Sequence, residues 1–235
     1  EDHVRIQVLC NGMDIQSCFK KANEIDDYID AHIDYAFDEK YGYKTTFPTN
    51  TGTGMKAGYT LHLPSLSDAR RLNDISAELG RFGLKFRTVY GDGQNGYGNL
   101  YQISTQKTLG QDEREVIKDL DDIVLQIVNQ EKEQREHFYK KDKIQMDDEI
   151  YKSYGVLKYA RKLSLKDSMV LISELMTGIS LGVLQFAHNG RYNINELIMD
   201  IQPAVLRQNS GKAMSVAETD VLRAEYIRKY LPEII

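Results

Sequence analysis

The chain is poor in the features that would place it in several large protein classes. Two cysteines, Cys10 and Cys18, occur in 235 residues, and their spacing fits neither a zinc knuckle nor a CxxC redox pair. Reduced thiols in a cytoplasmic protein are therefore expected. No run approaches the roughly 20 apolar residues that a membrane-spanning helix needs, so a membrane is not expected as a partner. The start lacks a basic stretch followed by an apolar one, so no secretory signal is visible. The first residue is Glu1 rather than methionine, and the sequence is expected to begin inside a longer polypeptide. Positive charge is also short: 30 Lys and Arg stand against 35 Asp and Glu, a formal net charge of -5. Counterion release rewards clustered cations, so a direct nucleic-acid surface is not expected. An anionic small molecule would need a local cationic pocket.

What is present is enough apolar residue, 41% of the chain, to build a substantial core in one large or two ordinary domains. His3 to Leu9 alternates polar and apolar residues and predicts a half-buried strand. From Asp14, a plausible N-cap, to about Phe37 the apolar positions recur every three or four residues and predict an amphipathic helix. Tyr43 to Thr46, Ala57 to Leu63, Leu84 to Tyr90 and Leu100 to Ser104 read as strands. A helix capped by Ser65 or Ser67 lies between the second and third of these, and a long helix starts near Gly110 to Asp112. The charged run from Glu131 to Asp148 reads as a helix end or linker. Beyond it the pattern is helical over Tyr151 to Leu163, Leu165 to Met176, Asn195 to Leu206 and Ser215 to Leu231. The fold class is α+β, an antiparallel sheet flanked by helices over residues 1–145, followed by a small helical domain over 146–235.

Two glycine-rich loops carry the chemical interest. The first, "PTNTGTGMK", holds Asn50, Gly52, Gly54 and Lys56; the second, Gly91 to Asn99, holds Asp92. Small residues let backbone N–H groups approach a ligand closely, as a phosphate oxygen requires. Lys56 and Arg87 lie near these loops in sequence, and together with Arg5 they could supply charge. An ordinary irregular connection explains "TNTGTG" equally well, and the Gly-Lys-Ser/Thr run of a P-loop is missing.

Four motifs in fixed order, "EDHVR", "PTNTGTGMK", "FRTVYGDG" and "YQISTQKTLG", resemble the phosphagen (guanidino) kinase family. Within it they resemble the bacterial protein arginine kinases of the McsB type, to which "LHLP" and "SYGVLKYAR" are also similar. The resemblance implies phosphoryl transfer from ATP, with Mg²⁺, to the guanidinium of a protein arginine. It maps the acids that grip the guanidinium onto Glu1 and Asp92, and the phosphate-binding cations onto Arg5, Lys56 and Arg87. It also implies protein substrates with exposed arginines, a zinc-finger activator, a Clp-type unfoldase and a stress repressor as partners, a homodimer, and a part in bacterial stress response and protein quality control. The sequence departs from the family pattern at Asp92 (Glu in the family), Lys56 (Arg) and Phe47 (Cys). An upstream segment with further ATP-binding arginines is expected beyond this sequence.

In the helical part the resemblance implies a phosphoarginine-recognition site at Asp220, with Arg223 one turn later and Thr219 where the family has Arg. A capped amphipathic helix accounts for the same residues. Two readings follow. The first is an ATP-dependent protein arginine kinase. The second, favoured by Phe47, Lys56, Asp92 and Thr219, is a catalytically weakened relative that binds phosphoarginine or nucleotide as a dimeric adaptor for Clp-type proteolysis. Cys10, Cys18 and His62 take no role in either.

Overall fold

A computed structural model of the chain describes residues 3–92, 95–186 and 193–235. Asp14 caps α1 (Ile15–Asp30), its carboxylate accepting the Ser17 amide at 3.3 Å. A short hairpin of β1 (Phe37–Asp38) and β2 (Gly42–Tyr43) follows, and then β3 (Gly58–His62), α2 (Pro64–Asp68) and α3 (Leu72–Arg81). Next come β4 (Leu84–Thr88), a ribbon of β5 (Gly91–Asp92) and β6 (Asn95–Gly96), and β7 (Leu100–Thr105). The rest is helical: α4 (Glu113–Lys141), α5 (Lys143–Tyr159), α6 (Leu165–Ser180), α7 (Ile194–Asp200), α8 (Pro203–Ser210) and α9 (Val216–Tyr230).

The chain divides into two compact units. The first comprises residues up to Leu61, Ala69–Val89 and Tyr101–Gln130; the second comprises His62–Asp68, Tyr90–Leu100 and Glu131–Ile235. The first is organised by the sheet β3-β7-β4, in which β7 is central and antiparallel to β4. Alternation along the strands buries Tyr59, Leu61, Leu84 and Ile103 on one face, and α4 contributes the buried Ile117, Leu120 and Val124. The Tyr59 hydroxyl donates to Asp121 of α4. In the second unit α5 and α6 pack along each other around Ile150, Leu157, Ile172 and Leu175, with Ala224 and Ile227 of α9 in the same core.

Three expectations are corrected. Among the described residues no strand forms over His3 to Leu9; Val4 is 42% and Leu9 81% exposed. Alternation predicts a strand only where a neighbour accepts its amides, and no strand pairs with this segment here. The single helix expected after Ser65 breaks into α2 and α3, with Arg70 in the left-handed region at φ 56°. The charged run expected as a helix end or linker is helical nearly throughout, broken at Asp142 between α4 and α5. Its first residue, Glu131, is buried, because its carboxylate accepts the amides of Ser65 (3.1 Å) and Leu66 (2.9 Å) at the start of α2 and pairs with Arg135 at 3.0 Å.

Candidate active site

The first glycine-rich loop is held in place by backbone. Tyr43 and Gly52 exchange N–H···O bonds of 2.8 and 3.2 Å, and the Thr53 amide donates to the Thr108 carbonyl at 3.0 Å. The Thr108 hydroxyl, lying beyond β7, reaches the carbonyls of Thr51 (2.7 Å) and Thr49 (3.1 Å). Three chain segments meet so closely that a Cβ on Gly42 would lie 2.3 Å from the Gly52 carbonyl oxygen. One on Gly52, whose φ is +111°, would lie 2.3 Å from that of Thr108. The bareness of Gly52 is therefore required by the chain's own crossing. Gly54 differs: it is exposed at φ +64°, and its nearest neighbour is the Tyr43 ring, 3.6 Å from a built Cβ.

Tyr43 braces the loop from behind. Its hydroxyl donates to Asp26 at 2.5 Å, and burial followed by that carboxylate pushes the phenol well above its ordinary value. Tyr35, edge-on to Tyr43, is pushed up to about 12, by burial first and Asp26 second.

Lys56 leaves the loop two residues before β3 and is exposed. The register of β4 against β7 sets Arg87 opposite Gln102 and Lys85 opposite Ser104. Directly opposed residues share a face, so these four side chains occupy the more open side of the sheet. The Arg87 Nε donates to Gln102 Oε1 at 2.7 Å, which orients the guanidinium while leaving it exposed. The loop has an open backbone at Gly54, and the sheet face that carries Lys85 and Arg87 is a cationic surface on a chain of net charge -5. Such a surface can neutralise phosphate oxygens.

The remaining sequence-selected residues are placed as follows. Asn50 is half-buried in a 3-10 turn, Pro48–Asn50, within the loop. Arg5 is exposed in a segment without regular structure. Asp92 belongs to β5, in the second unit, and pairs with Asn95. Glu1 lies outside the described residues. The site residues overlooked in the sequence are Lys85, Gln102 and Thr108. The last two lay in plain view in "YQISTQKTLG", but only the strand register reveals which residues face Arg87.

At the other proposed site, Arg223 is 1% exposed. Its Nε donates to the Ile201 carbonyl at 3.0 Å, and its Nη1 donates to the Leu163 carbonyl at 2.9 Å and to Asp220 at 2.6 Å. Thr219 is buried and bonds back to the Ser215 carbonyl at 2.8 Å. This guanidinium ties α9 to the end of α7 and to the segment before α6.

A cationic, glycine-lined loop on an open antiparallel sheet is an arrangement suited to phosphoryl transfer. Residues 1–134 match the family model of the ATP:guanido phosphotransferase C-terminal catalytic domain, and the chain belongs to that family. Residues 143–234 match that of the protein-arginine kinase McsB C-terminal domain. The chain is similar to the protein-arginine kinase of Bacillus subtilis (strain 168), at 40% identity over 98% of this chain and 63% of that one. It is also similar to the protein-arginine kinase of Caldanaerobacter subterraneus subsp. tengcongensis, at 39% identity over 98% of this chain and 68% of that one. A solved taurocyamine kinase from Schistosoma mansoni with bound transition-state-analogue components aligns over 49% of this chain and 16% of its own. Its identity is 30% and its TM-score 0.42. The chain thus spans about 63% of the length of the Bacillus subtilis relative.

Proposed function

We propose that this chain carries most of the catalytic lobe, and the helical C-terminal domain, of a protein arginine kinase that moves the γ-phosphoryl group of ATP onto the guanidinium of protein arginines. The observation that carries the proposal is the placing of Lys56 beside the braced glycine loop and of Arg87 on the open sheet face. Both lie within the segment that matches the catalytic domain.

The chemistry fits those residue types. A guanidinium nitrogen has no free lone pair while charged, so carboxylates must hold the group in line and accept its proton. Glu1 and Asp92 are assigned that task. The new N–P bond forms as the bond from the γ-phosphorus to the β,γ-bridging oxygen breaks and ADP leaves. Arg5, Lys56 and Arg87, with the backbone near Asn50, Gly52 and Gly54, hold and neutralise the phosphates. Among the described residues no three His, Cys, Asp or Glu side chains converge as a metal site. Mg²⁺ is therefore assigned to the nucleotide phosphates, on which it would enter.

The proposal extends to a cytoplasmic setting and to stress response and protein quality control. Its partners are protein substrates with exposed arginines, a zinc-finger activator, a Clp-type unfoldase and a stress repressor, and its assembly is a homodimer. Among the described residues no helix is long and apolar enough to cross a membrane. Phosphoarginine recognition at Asp220 and Arg223 has a specific condition: an incoming phosphate competes with the carbonyls of Ile201 and Leu163 for a buried guanidinium. The adaptor reading is favoured by Asp92 and Lys56, each chemically shorter of reach or fork than the family residue.

The deciding experiment incubates the full-length protein with Mg-ATP and an arginine-rich protein, then seeks acid-labile phosphate on arginine by mass spectrometry. Phosphoarginine that vanishes with Glu1→Ala is expected. Its absence from a folded protein, with an active control kinase alongside, would transfer the function to the adaptor.

A further inference from the structure

The first glycine-rich loop spends most of its main-chain donors on the chain itself. The amides of Asn50, Thr51 and Gly52 donate to the carbonyls of Phe47 (2.9 Å), Pro48 (3.3 Å) and Tyr43 (3.2 Å), and that of Thr53 donates to the Thr108 carbonyl at 3.0 Å. The Met55 amide donates to the Thr53 hydroxyl at 3.2 Å, and the Ala57 amide to the Thr105 hydroxyl at 3.1 Å. Among the described residues from Asn50 to Ala57, this leaves the N–H groups of Gly54 and Lys56 to serve a ligand, and both residues are exposed. Two amides and one ammonium thus share a three-residue edge of the loop.

Thr108 decides which way the loop's peptide groups point. It is buried, and its single hydroxyl proton is shared between the carbonyl oxygens of Thr51 at 2.7 Å and Thr49 at 3.1 Å. A carbonyl oxygen is the negative end of a peptide dipole, so one turned towards a phosphate repels it, whereas an N–H attracts it. We propose that Thr108 is a positioning residue for the nucleotide: its hydroxyl holds these two carbonyls inward, so that the edge presented to the phosphates carries the Gly54 and Lys56 N–H groups and the Lys56 ammonium. Thr108 itself touches no phosphate. Its role rests on the assignment of this loop to the nucleotide phosphates in the kinase reading, and it confines the loop's main-chain contacts to two amides. Without the hydroxyl the Thr49 and Thr51 carbonyls lose their partner, and the nearest new partner for them is solvent, on the side where the phosphates bind.

The test measures the Kd for Mg-ATP by titration of the full-length protein, and kcat with an arginine-rich protein, in Thr108→Val, which keeps the shape and removes the hydroxyl, and in Thr108→Ser, which keeps the hydroxyl. The expected result is a Kd raised about tenfold in Thr108→Val with kcat held, and a Kd within about twofold of wild type in Thr108→Ser. A lowered melting temperature with an unchanged Kd marks a purely structural hydroxyl and overturns the proposal. Lys56→Ala, titrated alongside, separates the two ideas. If it raises the Kd and Thr108→Val does not, the role of Thr108 falls and the loop's assignment stands; if neither raises it, the loop does not hold the phosphates and both fall. Because Kd is read without turnover, a wild type that makes no phosphoarginine counts against the kinase reading while the titration still decides Thr108. If Thr108→Val does not fold, hydrogen exchange of the wild type takes its place: Mg-ADP should slow exchange at the Gly54 and Lys56 amides and leave those of Gly52 and Thr53 as they were. Exchange at Gly54 and Lys56 that is not slowed overturns the proposal.

Discussion

Single side chains separate the charges meant for ligand from those meant for the fold. His62 is of the second kind. Its Nε2 lies 2.8 Å from the Ser173 hydroxyl, which also accepts from the Asn99 side-chain amide at 3.1 Å. Burial, and secondly the Arg135 charge, lower its pKa from 6.5 to about 3. The unfolded chain therefore binds a proton that the folded one refuses. The stability contributed is fully present above about 6.5 and is lost as pH falls from there towards about 3. His62→Gln should flatten that slope, on the order of a few kcal/mol, in denaturant melts taken across this range. Arg223 is also of the second kind: Arg223→Ala should cost about 3–5 kcal/mol by leaving Asp220 and two carbonyls unpartnered, read as a lower denaturant midpoint. Lys56 belongs to the first kind. Because it is exposed, Lys56→Ala should move the unfolding midpoint by less than about 0.5 kcal/mol while weakening ATP binding in a nucleotide titration. An unchanged nucleotide affinity would remove Lys56 from the site.

Elements show where local pattern suffices. The glycine loop holds its shape because β2, the loop and the segment after β7 exchange backbone bonds at Tyr43, Gly52, Thr53 and Thr108. Gly52→Ala should therefore cost at least about 2 kcal/mol, a fall of roughly 4–8 °C in melting temperature by calorimetry, since the clash is with backbone that cannot swing aside. Helix starts with a cap, such as that of α1 at Asp14 and that of α9 at the Ser215 and Glu218 capping box, were legible from sequence because their signals lie within a few residues, whereas α1 ends at Asp30 and the expected continuation to Phe37 gives way to β1. The end of α4 was not legible. Glu131 looks like any solvated acid in a charged run, and only the arrival of two amides from α2, far away in sequence, makes it an internal residue. The segment from His3 to Leu9 failed the other way: its alternation is sound, but strand formation is decided by a partner, not by the strand's own pattern.

For the molecule as a whole, binding that favours the folded state must appear as stability. If the sheet face and loop hold Mg-ATP, nucleotide at a hundredfold excess over its Kd should stabilise the full-length protein by about 2.7 kcal/mol, visible as a thermal shift that Lys56→Ala diminishes. Family membership, the order of the motifs and the division into a mixed part and a helical part were written in residue types and local periodicity, because each depends on chemistry and neighbours within one turn or strand. The tertiary structure alone decided which charges face solvent and which face the core. Arg87 and Arg223 are the same residue in sequence. One lies on the outward side of an antiparallel register beside Gln102. The other is enclosed by carbonyls contributed from Leu163 and Ile201. That difference is set by long-range packing, which places desolvation and hydrogen-bond partners that no neighbouring residue can specify.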